Sequence, residues 1–174
     1  YGRFCPTETP EGTEIGLRKN LAILSRISSA LELDEKTTIK QLQTLGLNEE
    51  SGKDVFFNGK YIGMAKDAHL FVNAVRAERR KGNFPNELSV TSDSPAKTIV
   101  ISSEVGRVLR PLIVVEQGAS KLKDEHLVLL EQGSLNWREL VKEGIIEYID
   151  AAEEEDAFVA QTPESVTDKH THVE

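Results

Sequence analysis

Apolar positions along the chain fall into short runs whose spacing switches repeatedly between helical and extended periods. Leu21, Leu24, Ile27 and Leu31 recur at three and four, as on an amphipathic helix, although the serines around Ile27 leave an extended exit as the alternative. A clearer helix is predicted from Lys36 to Leu45, with Asp34 and Thr37 as candidate N-caps. Ile39, Leu42 and Leu45 share its face, and Gly46 is a natural terminator. The polar stretch from Asn48 to Asp54 reads as a loop. Val55-Phe56-Phe57-Asn58-Gly59-Lys60-Tyr61-Ile62-Gly63 then places two apolar arms around Asn-Gly, the strongest short-range hairpin signal.

Asp67 opens a second helix, with Leu70, Phe71, Ala74 and Val75 expected inward. Strands are predicted at Glu87 to Ser92, Thr98 to Ser102 and Arg107 to Glu116, with Pro95 and Gly106 in the connections. Leu122 to Leu130 fits helix or strand equally. Ser134 to Lys142 reads as a short helix carrying Leu135, Leu140 and Val141, with Gly144 closing it. Ile145 to Asp150 is a strand, Phe158 to Ala160 another, and the polar tail from Thr162 is expected to fray.

The first twenty residues follow neither period. They hold two prolines, three glycines, three carboxylates and three cations. Pro6 and Pro10 restrict φ and push Cys5 and Thr9 toward extended conformations, while Gly12 and Gly16 permit angles or close approaches closed to other residues. The stretch reads as a binding loop held in one shape. The fold class is therefore α+β: a mixed domain with an antiparallel sheet and several short helices, preceded by an irregular Pro/Gly loop segment.

Composition narrows the function. With 174 residues, 39% hydrophobic and 29% charged, the chain has room for one domain or two small ones. A net charge of −8 argues against a self-sufficient nucleic-acid-binding surface, though not against a local basic patch. The single cysteine excludes an internal disulfide framework and suits a reducing compartment. No apolar run approaches the ~18 residues of a membrane span, and no signal peptide is read. Because the chain opens on Tyr1 and enters the loop at once, it is expected to be a piece of a larger polypeptide.

By spacing alone there is no complete active site, Walker loop or dinucleotide fingerprint. Glu8, Glu11 and Glu14 could suggest a metal cluster, but their Pro/Gly setting forces no common face and a hard cation needs more oxygens. His170 and His172 lack a third ligand, and Cys5 reads as a small packed thiol. Arg76, Arg79, Arg80 and Lys81 read as a solvated helix end that complements the dipole, with a phosphate or partner contact as the alternative. Seven carboxylates and no Lys or Arg occur between Glu147 and Glu164, which reads as a solvated acidic edge. Arg107 and Arg110 flank a buried strand, so one of them is expected to pair with that edge.

Whole motifs say more than their spacing. Tyr1-Gly-Arg-Phe-Cys-Pro-Thr-Glu-Thr-Pro-Glu-Gly-Thr-Glu-Ile-Gly-Leu-Arg-Lys-Asn-Leu21 closely resembles the active-centre segment of the second-largest, β-type subunit of multisubunit RNA polymerases. Phe56-Phe-Asn-Gly59, Arg79-Arg-Lys-Gly82, Gly106-Arg-Val-Leu-Arg-Pro-Leu112, Gly144-Ile-Ile-Glu-Tyr-Ile-Asp150 and Thr171-His-Val-Glu174 follow the same subunit in the same order. These later motifs are similar to the archaeal and eukaryotic branch. Bacterial members read Pro-Asn-Ile-Gly-Leu where this chain has Thr13-Glu14-Ile15-Gly16-Leu17.

The resemblance implies a piece of that subunit: 1–33 as the end of the fork and its active-centre loop, 34–162 as the external 2 domain, and 163–174 as the start of the connection to the hybrid-binding region. It implies that the stretch from Arg3 to Asn20 lines the main channel, with Glu11 and Gly12 beside the growing RNA end and Arg3 and Pro10 shaping the loop. Arg3, Glu11, Gly12, Arg18 and Lys19 are the expected nucleic-acid contacts. Implied partners are the largest and other polymerase subunits, the DNA template, the RNA–DNA hybrid and nucleoside triphosphates, with no membrane. The Mg2+ ions of nucleotidyl transfer would be held outside this chain, partly by an aspartate triad of the largest subunit and partly by acidic residues downstream of Glu174. The chain alone would be inactive. An archaeal or other prokaryotic source would place it in the cytoplasm, a eukaryotic one in the nucleus.

Overall fold

A computed structural model describes residues 1–31, 33–48, 50–93 and 98–174. Pro95, expected in a strand connection, lies outside the described residues. In chain order the elements are β1 (Arg26–Ile27), α1 (Glu35–Thr44), β2 (Leu47–Asn48), β3 (Lys53–Phe57), β4 (Lys60–Ala65), α2 (Ala68–Arg80), β5 (Ser89–Asp93) and β6 (Thr98–Ser102). They continue as β7 (Val108–Glu116), β8 (Ala119–Ser120), α3 (Asp124–Glu131), α4 (Trp137–Lys142), β9 (Ile146–Ile149), α5 (Ala151–Glu155), β10 (Val159–Ala160) and β11 (His172–Val173).

Among the described residues the strands make two sheets, in a mixed α+β arrangement. The first runs β2-β4-β3-β6-β5, antiparallel except for the parallel β3–β6 pair. Its hairpin turns on Asn58 (φ 49°) and Gly59 (φ 77°), the left-handed pair that matches strand twist. Asp34 and Asp67 cap α1 and α2 by accepting from the amides of Thr37 and Leu70. Both helices lie against this sheet, burying Leu42, Phe71, Val72 and Val75 over Val55, Val90, Ile99 and Ile101. Each such aliphatic residue contributes about 1.5–3 kcal/mol through burial.

The second sheet is built on β7. Ile113 faces Ile146 of β9 across one edge and Val173 of β11 across the other. β1 and β8 pair with the two ends of β7, and β10 joins β11 in parallel. Leu109, Leu140, Ile145, Ile146 and Tyr148 form the core of this half.

Several expectations change. Residues 21–31 form no helix, because their backbone is committed elsewhere: Leu21 bridges Phe4, β1 pairs with β7, and the Ser28 amide donates to the Arg107 carbonyl. Part of the expected 48–54 loop is strand, since Asn48 and Lys53 pair on the two edges of β4. Leu70 points outward and Val72 takes the inward position. Leu122 to Leu130 resolves into α3, and the acidic run contains α5. The tail does not fray: His172 and Val173 are buried strand residues, with Val173 beside Val115 and Ala160.

Candidate nucleic-acid interface

Residues 5–20 form a closed loop with a narrow neck. The Cys5 amide donates to the Asn20 carbonyl at 2.8 Å, and the Ala22 amide to the Arg3 carbonyl at 2.9 Å. Inside the loop, the Thr9 hydroxyl donates to the Cys5 carbonyl and the Asn20 amide group to the Glu8 carbonyl. A single 3-10 turn over Gly12–Glu14 sets the tip, entered from extended Glu11. Gly12 and Gly16 both have positive φ, and a Cβ at either would meet nothing within 4 Å. They are needed for backbone conformation rather than for internal packing.

The five expected contact residues separate into two groups. Glu11, Gly12, Arg18 and Lys19 are exposed on the loop. Arg18 lies 3.3 Å from Glu14, a solvated pair of little energetic weight, and the Lys19 ammonium sits 5.6 Å from the Phe4 ring centroid. Ile15 and Leu17 are also exposed, at 66% and 81%. Arg3 is different. Its side chain turns inward, donating to the carbonyls of Val108 and Ile149 and to the Glu154 carboxylate. Glu8, Glu11 and Glu14 are not gathered, and among the described residues no group of three or more His, Cys, Asp or Glu is placed to hold a metal.

Glu154 serves Arg110 as well. Arg110 Nη2 lies 2.6 Å from Oε1 and Nε 3.1 Å from Oε2, and Arg110 Nη1 lies 3.0 Å from both Glu174 oxygens. Burial works to raise the Glu154 carboxyl, but bonds from Arg110 and Arg3 outweigh it and hold it below its ordinary value. Gly2 lies directly on this cluster. Its φ is +72°, and a Cβ there would stand 2.8 Å from Arg110 Cδ. Gly2, next to the neck, is therefore seated on the Arg110 side chain, which a Cβ there would force to shift.

In the basic cluster at the end of α2, Lys81 is the expected solvated helix end, paired with Glu78, but Arg76, Arg79 and Arg80 turn inward to carboxylates. Arg79 is 2% exposed and bonds both Glu153 oxygens at 2.7 Å and Glu147 at 2.9 Å. Arg80 pairs with Glu147, and Arg76 with Glu153 and Asp156. His172 Nε2 completes the group, 2.6 Å from Glu147 Oε1. Burial disfavours the Glu147 charge, yet Arg79, His172 and Arg80 leave its carboxyl well below the usual carboxylate range. Glu147, Asp150, Glu153 and Glu154 of the acidic run thus make an interior seam between the sheets, while Glu155, Asp156 and Glu164 stay on the surface as the expected solvated edge. Arg107 and Arg110 both pair with it, Arg107 through Asp150 at 2.7 Å.

Two signals could have found this seam. Arg79 continues the inward positions Ala68, Phe71, Val72 and Val75 at helical spacing, and Glu147 interrupts an apolar strand. A charge in either place needs a partner.

Comparison with known proteins matches these parts in order. The family model for RNA polymerase Rpb2, domain 3, matches residues 1–27; domain 4 matches 55–116 and domain 5 matches 137–174. The subunit Rpo2 of DNA-directed RNA polymerase from Saccharolobus shibatae is 36% identical over all of this chain, which spans 17% of that protein. DNA-directed RNA polymerase III subunit RPC2 of Schizosaccharomyces pombe is 31% identical over the whole chain, and RNA polymerase II subunit RPB2 of Meyerozyma guilliermondii 33% over 95% of it; each is covered to 16%. The chain belongs to the Rpb2-type family, the second-largest subunits of multisubunit DNA-directed RNA polymerases. The archaeal-type character implied by the later motifs agrees with the Rpo2 relatives. Among the described residues no helix is long and apolar enough to cross a membrane.

Proposed function

We propose that this chain works within a DNA-directed RNA polymerase, where residues 5–20 face the RNA–DNA hybrid in the main channel and residues 34–162 form an outer structural part, with 163–174 leading toward the hybrid-binding region. The observation that carries the reading is the closed, exposed loop pinned at its neck by backbone bonds and by Arg3. Its exposed Gly12 lets a nucleic-acid backbone come close, and Arg18 and Lys19 supply cations that are only weakly engaged. Glu11 orients or weakens those contacts so that the hybrid can advance. Nucleotidyl transfer needs metal ions, and among the described residues no carboxylate group is arranged to hold one. The chain supplies positioning, and catalysis falls to other parts of the enzyme. Such an enzyme would act in the cytoplasm of a prokaryote or the nucleus of a eukaryote.

The test is a photo-crosslinker at position 11 of the subunit in assembled polymerase. It should label the RNA near its growing end, and Glu11→Ala should change elongation rate or pausing. Labelling of protein alone, with unchanged elongation and pausing, would overturn the reading. A second reading, an interaction surface for other subunits or factors, is favoured by one feature. Leu127, Val128 and Leu129 on α3 are each at least 40% exposed, beside Trp137 at the same level. A crosslinker at Val128 should then reach protein.

A further inference from the structure

We infer that Glu154 is the positioning residue of the channel loop, a carboxylate that ties the loop's neck to the seam between the two sheets. This rests on the channel reading above. Locally the neck is held by the two backbone bonds that make the Phe4–Leu21 bridge. Arg3, whose carbonyl closes the neck, is also the residue whose side chain leaves the loop altogether. It spans to β7 at Val108, to β9 at Ile149 and to α5 at Glu154.

Glu154 sits beside Glu153 on α5, and the two carboxylates are engaged by different parts of the protein. Glu153 is held by Arg76 and Arg79 of α2, under the first sheet. Glu154 is held by Arg3 and by Arg110 of β7. One short helix therefore joins the first sheet, the second sheet and the base of the loop. The loop's place is referenced to the junction of the sheets rather than to its own turns.

Charge decides which partner lets go when Glu154 is neutralised. Arg3, Arg110, Glu154 and Glu174 form a balanced group of two cations and two anions. Without the Glu154 charge, two guanidiniums share Glu174 alone. Arg110 keeps both Glu174 oxygens and its packing under Gly2, whereas Arg3 keeps only the carbonyls of Val108 and Ile149 and no anion, so Arg3 is the one loosened. Loosening of Arg3 frees the segment that enters the loop while leaving α2 and Glu153 in place.

The experiment uses assembled polymerase with the photo-crosslinker at position 11, in wild-type, Glu154→Gln and Arg3→Gln subunits, together with hydrogen exchange at the neck amides of Cys5 and Ala22. Both variants should speed exchange at the neck by about tenfold, the scale of one lost charge-assisted bond, and should spread the RNA crosslink from one position over several. Asp156→Asn, which alters the Arg76 and Ser92 contacts just past the same end of α5, should change neither. Arg3→Gln keeps the test open if Glu154→Gln fails to assemble, because it leaves Arg110, Glu154 and Glu174 together. Neck exchange within twofold of wild type in both variants, with an unspread crosslink, would overturn the inference. Absence of any RNA crosslink in the wild type would instead refute the channel reading, and the exchange data would still decide whether Glu154 holds the neck.

Discussion

The guanidinium of Arg79 meets the carboxylate of Glu153 in a two-pronged pair, both contacts 2.7 Å, with both side chains 2% exposed. They stand 74 positions apart in the chain and join α2 to α5 through the interior. Burial opposes the charge on Arg79, and Glu153 and Glu147 together more than restore it, holding the guanidinium above its ordinary range. Arg79→Met would leave two carboxylates buried without their shared cation. We expect a loss of about 3–5 kcal/mol, with Arg79→Lys in between because an ammonium cannot match both oxygens. Urea denaturation measures it, and a loss under about 1 kcal/mol would show that the seam is dispensable.

Acid should loosen the same seam. Glu147, Asp150 and Glu154 all titrate below their ordinary values of 4.5, 3.8 and 4.5. For each, burial raises the carboxyl and the opposing bonds outweigh it: Arg79 first for Glu147, the Glu153 amide and Arg107 for Asp150, Arg110 and Arg3 for Glu154. A carboxylate held low in the folded state adds stability that is fully present above its unfolded value and is lost as pH falls through the folded one. Unfolding free energy should therefore decline on acidification from about pH 4.5 downward. Glu154→Gln should reduce the slope. Stability that rises in this window would contradict the ion pairs.

Two glycines with nearly the same φ should respond differently to alanine. Gly133 (φ +69°) has open space where a Cβ would go, so Gly133→Ala carries only the left-handed backbone cost of about 1–2 kcal/mol. Gly144 (φ +64°) faces the Arg80 carbonyl, which a Cβ would meet at 2.8 Å. Gly144→Ala must push α4 and β9 away from α2 and disturb the Arg80–Glu147 pair. Thermal melts of the two variants should show the larger drop for Gly144→Ala. Equal drops would mean that this contact gives way freely.

The single tryptophan reports on the second core. Trp137 Nε1 donates to the Tyr148 hydroxyl at 3.1 Å, and Arg26 covers the Tyr148 ring at 5.1 Å. Tyr148→Phe removes one hydrogen bond, at a cost of about 1 kcal/mol. The half-exposed indole, freed from its anchor, should shift its fluorescence to longer wavelength. An unchanged spectrum would show that packing alone orients Trp137.

Much of the first sheet was legible because its signals are local. Asn58-Gly59 specified the hairpin through backbone angles that few other residue pairs accept, and Asp34 and Asp67 marked helix starts through bonds three residues away. The loop was legible as a loop because its prolines and glycines break every period. Misreadings arose where a residue's partner lay far along the chain. Leu21 to Leu31 has helical spacing, yet Ala22 bonds Arg3 and β1 bonds β7, so the extended alternative is the one that forms. His172 and Val173 look like a polar tail until β7 and Glu147 are beside them.

The sequence by itself determined the α+β class, the hairpin, the capped helices, the irregular opening loop and, through whole motifs, the polymerase family. Tertiary structure alone decided that Arg79 is interior, that Glu147, Asp150, Glu153 and Glu154 make a seam rather than an edge, and that Arg3 serves the base of the loop. The physical reason is the range of the forces involved. Turn and cap preferences act within a few residues and are written in local order, whereas the pairing that makes a buried charge tolerable depends on groups 25 to 151 positions away.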